Sequence, residues 1–213
     1  MKITGLAVAG LFASAFAFTS CSKEPLNNLT EEESRIYITN FDSSANFGGF
    51  KTFSISDSVA VISNNQLEGK ATTNVDLAYI SAVKTLMQQR GYVQVSRDQN
   101  PDLGLNVSRI YNSYTGVVNY GGGYWGGYYD YYDPYYWGYP GYSYNFPSYY
   151  GVYEVTEGAL SVDALDLKDA DGTKTITGVW SGLIRGSGIF NSASAASQVK
   201  ALFDQSPYFT TNQ

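Results

Sequence analysis

The sequence predicts an α+β fold, a mostly antiparallel sheet with two helices packed on one face, built as a single domain over residues 35–209. Three observations predict it. Short stretches alternate apolar and polar residues with the period of two that suits a half-buried strand, as at Ile36/Ile38, Phe53/Ile55, Leu103/Leu105/Val107 and Leu160/Val162/Ala164. Two longer stretches repeat their apolar residues at three- and four-residue steps, the spacing of a helix face. The order β-β-α-β-β, loop, β-β-α segregates helices from strands, which favours layers over a wound parallel sheet.

Each element has its own signal. Ile36 and Ile38 open the first strand, and Phe53 and Ile55 form the second after a turn at Gly48-Gly49. Residues 72–90 read as a helix. Thr73 with Asp76 three positions later resembles a capping box, Val75, Tyr79, Ala82/Val83 and Leu86 recur in register, and Gly91 stops it. Tyr92 to Val95 is a short strand. Leu103, Leu105 and Val107 alternate with Gly104, Asn106 and Ser108, which predicts one buried face and one wetter face. Farther on, Leu160, Val162 and Ala164 alternate with Ser161 and Asp163. Asp169-Ala170-Asp171-Gly172 then predicts a hairpin turn, with Asp-Gly reaching positive φ. In the strand that follows, Ile176, Trp180 and Ile184 are expected on one side and Val179 and Leu183 on the other. A last helix spans 192–204, with Ala195/Ala196, Val199 and Leu202/Phe203 in register and Pro207 beyond it.

The amino terminus is an address. Met1-Lys2 gives a basic start, and Ile3 to Phe18 is an uncharged apolar run short of the ~20 residues a spanning helix needs. It ends in Phe18-Thr19-Ser20-Cys21, small residues before the only cysteine, and this resembles a bacterial lipobox with Phe18 where Leu is more usual. The resemblance implies a signal peptide at 1–20, cleavage before Cys21, and thioether lipid and palmitate-type acyl chains on that residue. Residues 21–34 then read as a lipidated tether. Losing Lys2 leaves 12 basic against 19 acidic side chains, so the charge moves from −6 to −7. Such a surface argues against nucleic acid and against docking on anionic lipid, so the acyl chains are the expected membrane contact. Ser22 after the cysteine resembles the sorting of outer-membrane lipoproteins, and Lys23-Glu24 is similar to the export signal of some surface-displayed ones. The expected location is the bacterial cell envelope, at the outer membrane, with the periplasmic and surface faces both open.

Residues 119–151 form a Tyr/Gly-rich insertion. Its segment 120–142 holds ten Tyr, two Trp and seven Gly in 23 positions, with no Lys or Arg. Disordered spacers are poor in such rings. Tyrosines on a glycine-rich backbone offer flat apolar faces with hydroxyl tips at modest rotamer cost. Tyr124, Trp125, Tyr128, Tyr129, Tyr131, Tyr132, Tyr135, Tyr136 and Trp137 are therefore the candidate ligand-contact aromatics. Single-strand nucleic-acid binders interleave rings with cations, and none occurs between Arg109 and Lys168. Envelope glycan, a protein partner or another copy of the same tract remain as ligands, beside a passive loop.

The ordered segments resemble a bacterial lipoprotein family, the domain of unknown function 4136. The matching stretches are NFGGFKTFSI (46–55), RGYVQVSRDQNPDLGLNV (90–107), TEGALSVDALDLKDADGTKTITGVWSGLIRG (156–186) and the closing helix before Ser206-Pro207. Members of that family often carry a Gly/Tyr/Trp-rich insertion before the Glu-Gly strand, here Glu157-Gly158. Ser181 stands where a basic residue often follows the Trp. The resemblance implies a fold class and a location, and no catalytic residue.

The chain is poorly supplied for chemistry. With no His and its sole Cys expected to be acylated, Ser-His-Asp and Cys-His arrangements are unavailable within it. Ser81-x-x-Lys84 and Ser197-x-x-Lys200 fit a Ser-Lys pattern, as Ser63-Asn64-Asn65 fits Ser-x-Asn, but solvated helix faces explain the first two equally well. Only hard oxygen ligands remain for a metal, and an EF-type loop counted back from Asp171-Gly172 puts Leu167 and Gly178 at ligand positions, so Asp163, Asp166, Asp169 and Asp171 are expected to bind none. No cofactor is expected. The favoured reading is a non-enzymatic, membrane-anchored envelope lipoprotein with a binding or structural role. The alternative is an envelope glycan hydrolase using Asp130, Asp133, Glu154 or Glu157, which needs two carboxyls held ~5 to 9 Å apart on rigid walls.

Overall fold

The computed structural model describes residues 29–64, 66–111, 134–145 and 158–211, so the expectations for Cys21, the signal peptide and most of the tether lie outside the described residues. Residues Glu31–Gln213 form one unit. In chain order its elements are β1 (Ile36–Phe41), β2 (Thr52–Ile55), β3 (Val59–Ser63), β4 (Gln66–Ala71), α1 (Asn74–Gln89), β5 (Val93–Gln94), β6 (Leu103–Tyr111), β7 (Ser143–Asn145), β8 (Ala159–Asp166), α2 (Ala170–Thr173), β9 (Thr175–Arg185) and α3 (Ala195–Asp204).

The strands make one open sheet in the order β1-β9-β8-β6-β2-β5. β3 continues the line of β2: β2 runs parallel to β6 at Leu103–Leu105 and β3 at Ser108–Tyr111. At the far edge β4 pairs antiparallel with β3, and β5 parallel with β2. At the opposite edge β1 and β7 share β9, taking Trp180–Arg185 and Thr175–Thr177 respectively.

The expected mostly antiparallel sheet is therefore corrected to a mixed one. Among the described residues four ladders are antiparallel and four are parallel. The reason is the connection: α1 lies between β2/β3 and β6, and a crossover helix returns the chain in the same direction. Alternation in sequence reports burial, which is blind to strand direction.

Main-core side chains come from Phe53 and Ile55 of β2, Leu103, Leu105 and Val107 of β6, Leu160, Val162 and Ala164 of β8, and Trp180 and Ile184 of β9. Tyr79, Ile80, Val83 and Met87 of α1 and Val199, Leu202 and Phe203 of α3 enter the same cluster. α1 begins as expected. Thr73 accepts from the Asp76 N–H while the Asp76 carboxylate accepts from the Thr73 N–H at 2.7 Å, a reciprocal capping box. Gly91, at φ +91°, ends it. Tyr79 is fully buried, and its one hydroxyl proton is shared between the Ile189 carbonyl and Gln198 Oε1, tying α1 to α3 and to the segment before it. Burial pushes that hydroxyl's pKa up to about 12.

Three further expectations change. The Asp169–Gly172 stretch does lead from β8 into its antiparallel partner β9, but Asp-Gly does not supply the positive φ. It forms the single turn α2, closed by Lys174 at φ +56°, while Gly172 needs no positive φ. Ile176 does not share a side with Trp180. Ala164 pairs with Trp180 but Leu165 pairs with Gly178, so Val179 is the extra residue of a β-bulge. Val179 and Trp180 both turn to the main core, and Ile176 joins Leu165 and Leu167 on the other face. Finally, the face expected to be wetter is covered: Asn106 and Ser108 are fully buried, and Ser161 and Asp163 are buried beside them.

Candidate functional site

The described part of the Tyr-rich insertion lies against this second face. Pro134, whose fixed φ suits the start of a tight helical turn, opens the 3-10 turn Pro134–Trp137. Gly138 and Gly141, at φ +90° and +78°, then turn the chain back so that β7 adds to β9. The turn drives Trp137 inward until it is 3% exposed, among Leu165, Leu167, Ala170 and Ile176. Gly104 makes room for it. A Cβ there would stand 3.1 Å from Trp137 Cε2 and from Leu167 Cδ1.

The other rings are held by polar contacts. Tyr136 stands edge-on to Trp137, with Arg97 4.3 Å and Lys70 5.4 Å from its ring centre. Tyr139 donates to the Leu167 carbonyl at 3.0 Å. Tyr142 donates to Asp171 Oδ1 at 2.6 Å and accepts from Lys174 Nζ at 2.7 Å, a hydrogen-bonded chain from cation to carboxylate. Burial raises the pKa of the Tyr136 and Tyr139 hydroxyls, with the charges of Asp57 and Asp171 adding to it respectively. The hydrogen bond to Tyr142 raises that of Lys174. The upward direction keeps the Tyr136 and Tyr139 hydroxyls neutral and Lys174 charged at neutral pH.

Two clefts flank the segment from Asp166 to Asp171. One, of about 620 Å³, runs between Arg97–Asp102 and the turn carrying Trp137, Tyr139 and Tyr142. The other, of about 450 Å³, lies between Asp42–Phe50 and the start of β9, with Asp166 in its wall. Lys168 lines both and donates to the Gly49 carbonyl at 2.8 Å. Asp102 Oδ2 accepts from the Lys51 and Thr52 N–H groups at 2.6 and 3.1 Å, which makes it a structural carboxylate. The arrangement offers ring edges, cations and satisfied carboxylates, the equipment of a contact surface.

Of the aromatics singled out from sequence, Tyr124, Trp125, Tyr128, Tyr129, Tyr131 and Tyr132 lie outside the described residues. Tyr135 contributes backbone to the 3-10 turn, Tyr136 is half-buried beneath two cations, and Trp137 sits in a buried cluster, where it packs. Asp130, Asp133, Glu154 and Glu157 also lie outside the described residues. Lys200 pairs with Asp204 at 2.6 Å, and Asn64, at φ +50°, turns β3 into β4, so neither needs a catalytic reading. Among the described residues no three Asp, Glu, Cys or His side chains gather as a metal site, and no helix is long and apolar enough to cross a membrane. Sequence reasoning missed Arg97, Lys70 and Lys174. The tract itself carries no cation, and these three reach it only through the fold.

Comparison with known proteins gives one family. The family described as Domain of unknown function (DUF4136) matches residues 38–208. Among solved structures, the crystal structure of a DUF4136 family protein from Bacteroides thetaiotaomicron is 28% identical, with a TM-score of 0.69 over 84% of this chain and 99% of that one. A PelC dodecamer from Paraburkholderia phytofirmans is 16% identical, with a TM-score of 0.41 over 84% of this chain and 99% of its own. No curated protein matches the chain.

Proposed function

The chain belongs to the DUF4136 family, and on that premise we propose that it is a non-enzymatic envelope lipoprotein, anchored through acylated Cys21, whose Tyr/Gly-rich insertion is a contact surface for a second envelope component. The observation that carries this reading is the seating of residues 134–145 on the sheet. Trp137 is buried, Tyr139 and Tyr142 are hydrogen-bonded to Leu167 and Asp171, and β7 is paired to β9. A passive linker has no use for such attachments. A segment held at a fixed point of the fold presents the adjoining rings at low entropic cost when they bind. We also read α1 and α3 as one layer over one face, with residues 134–145 lying against the other. The two helices' shared cluster supports this.

The partner is an envelope glycan, a protein or a second copy of the tract. A crosslinked pull-down from intact envelopes tests the reading with a variant that leaves 134–145 untouched, Tyr128, Tyr129, Tyr131 and Tyr132 each replaced by Ser. The wild-type chain is expected to recover material that the variant does not. Identical recovery by both sinks the proposal.

A further inference from the structure

The second face of the sheet holds polar groups that the described structure leaves without partners. Asn106 is 0% exposed, and neither end of its amide meets a hydrogen-bond partner among the described residues. The buried Nε1–H of Trp137 meets none either. Native interiors rarely leave such groups orphaned, and each instance calls for an occupant or a reason.

The two orphans belong to adjoining positions on one face of β6. Gly104 and Asn106 project from the same side of β6, two residues apart, a separation of about 7 Å along a strand. Trp137 rests on Gly104, with Cε2, the carbon bonded to Nε1, 3.1 Å from where a Cβ would stand. Two hydrogen bonds of ~2.9 Å meeting at the bent angle of one bridging oxygen span about 5 Å, which side chains reaching toward each other from positions about 7 Å apart can match. The surroundings are polar as well. Asp163 lies opposite Asn106, Ser108 opposite Ser161, and Ser161 donates to Asp163 Oδ2 at 3.1 Å.

We infer that this floor binds a hydroxyl-bearing small molecule, one oxygen of which accepts the Trp137 indole N–H and bridges to the Asn106 amide. A hydroxyl fits because it both donates and accepts. An amide with both ends free asks for both, and the indole can only donate. An apolar occupant would leave all three atoms unpaired, and a bare cation would be repelled by the N–H. The hydroxyl has two sources, ordered water or a saccharide; the saccharide source rests on the contact-surface reading given above, whereas the water source stands without it.

The test follows the Trp137 indole resonance by nuclear magnetic resonance in the full chain, ¹⁵N-labelled in detergent and assigned with Trp137→Phe. Water as occupant predicts a cross-relaxation peak between this N–H and long-lived water. A saccharide predicts a saturable shift of the same resonance on adding maltotriose or chitotriose to 50 mM. In Asn106→Leu, or Asn106→Ala if the first does not fold, whichever signal the wild type shows is expected to fall at least fivefold. The inference is overturned if the wild type shows neither signal, or if the signal survives loss of the amide. A water signal without a sugar shift upholds it and leaves the outer rings free to take a protein partner.

Discussion

Gly182 occupies a point in β9 where a side chain has no room. A Cβ there would stand 2.7 Å from Trp180 Cη2 and 2.8 Å from Leu202 Cδ1, both in the main core. Gly182→Ala is expected to destabilise by about 1 to 3 kcal/mol, the usual range for overpacking, seen as a lower urea midpoint at constant slope. Asp166 makes a pH-dependent case. Burial raises its pKa, the backbone N–H of Asp169 opposes this, and the Asp169 charge adds to it. A carboxyl whose folded pKa is raised stabilises the fold while protonated. That contribution is whole below the ordinary carboxylate range and disappears as pH climbs through the raised value. Asp166→Asn keeps an acceptor for the Asp169 N–H and removes the buried charge. It is expected to raise Tm at pH 7 by about 1 to 3 °C, a small increment for a domain of this length, and to leave it unchanged at pH 3. An equal gain at both pH values would show that charge burial is not the cause.

At the scale of elements, α1 was the most legible. Thr73, Asp76 and the stripe through Tyr79 announce their helix from neighbouring positions alone. What local pattern could not announce is that Asp76, besides capping, lies 2.5 Å from the guanidinium of Arg109 on β6, with its side chain fully buried. Asp76→Ala removes the cap and strands a mostly buried cation, a loss of about 3 to 5 kcal/mol. In a double-mutant cycle Asp76→Ala and Arg109→Met are expected to couple by at least about 1.5 kcal/mol, measured by chemical denaturation. Additive losses would mean that the ion pair is idle. The hairpin β3–β4 has a local signal too: Val59–Ile62 is an apolar run, and Asn64 supplies the positive φ its turn uses. The bulge at Val179 carries no such mark, since nothing within Thr175–Arg185 reveals that its parity slips against β8. The site divides the same way. Composition flags the insertion, but its seating depends on Gly104, Leu165 and Ile176, which are remote in the chain, as are the cations on Tyr136.

For the whole molecule the decisive prediction concerns location. Cys21→Ala, expressed in a bacterium that processes lipoproteins, is expected to move the protein from the detergent phase to the aqueous phase in detergent phase separation and to abolish labelling by radioactive palmitate. Unchanged partitioning would remove the anchor from the proposal. The sheet carries one more consequence. Ile110 and Ala159 face each other across β6 and β8, so the chain departs for its insertion and comes home at a single doorway in the middle of the sheet. Lengthening such an excursion twofold adds only about 0.6 kcal/mol of closure entropy. Length can thus be added between that doorway and the seated stretch 134–145 at small cost, whereas Trp137 and β7 have to keep their places if the framework of helices and strands is to stay intact.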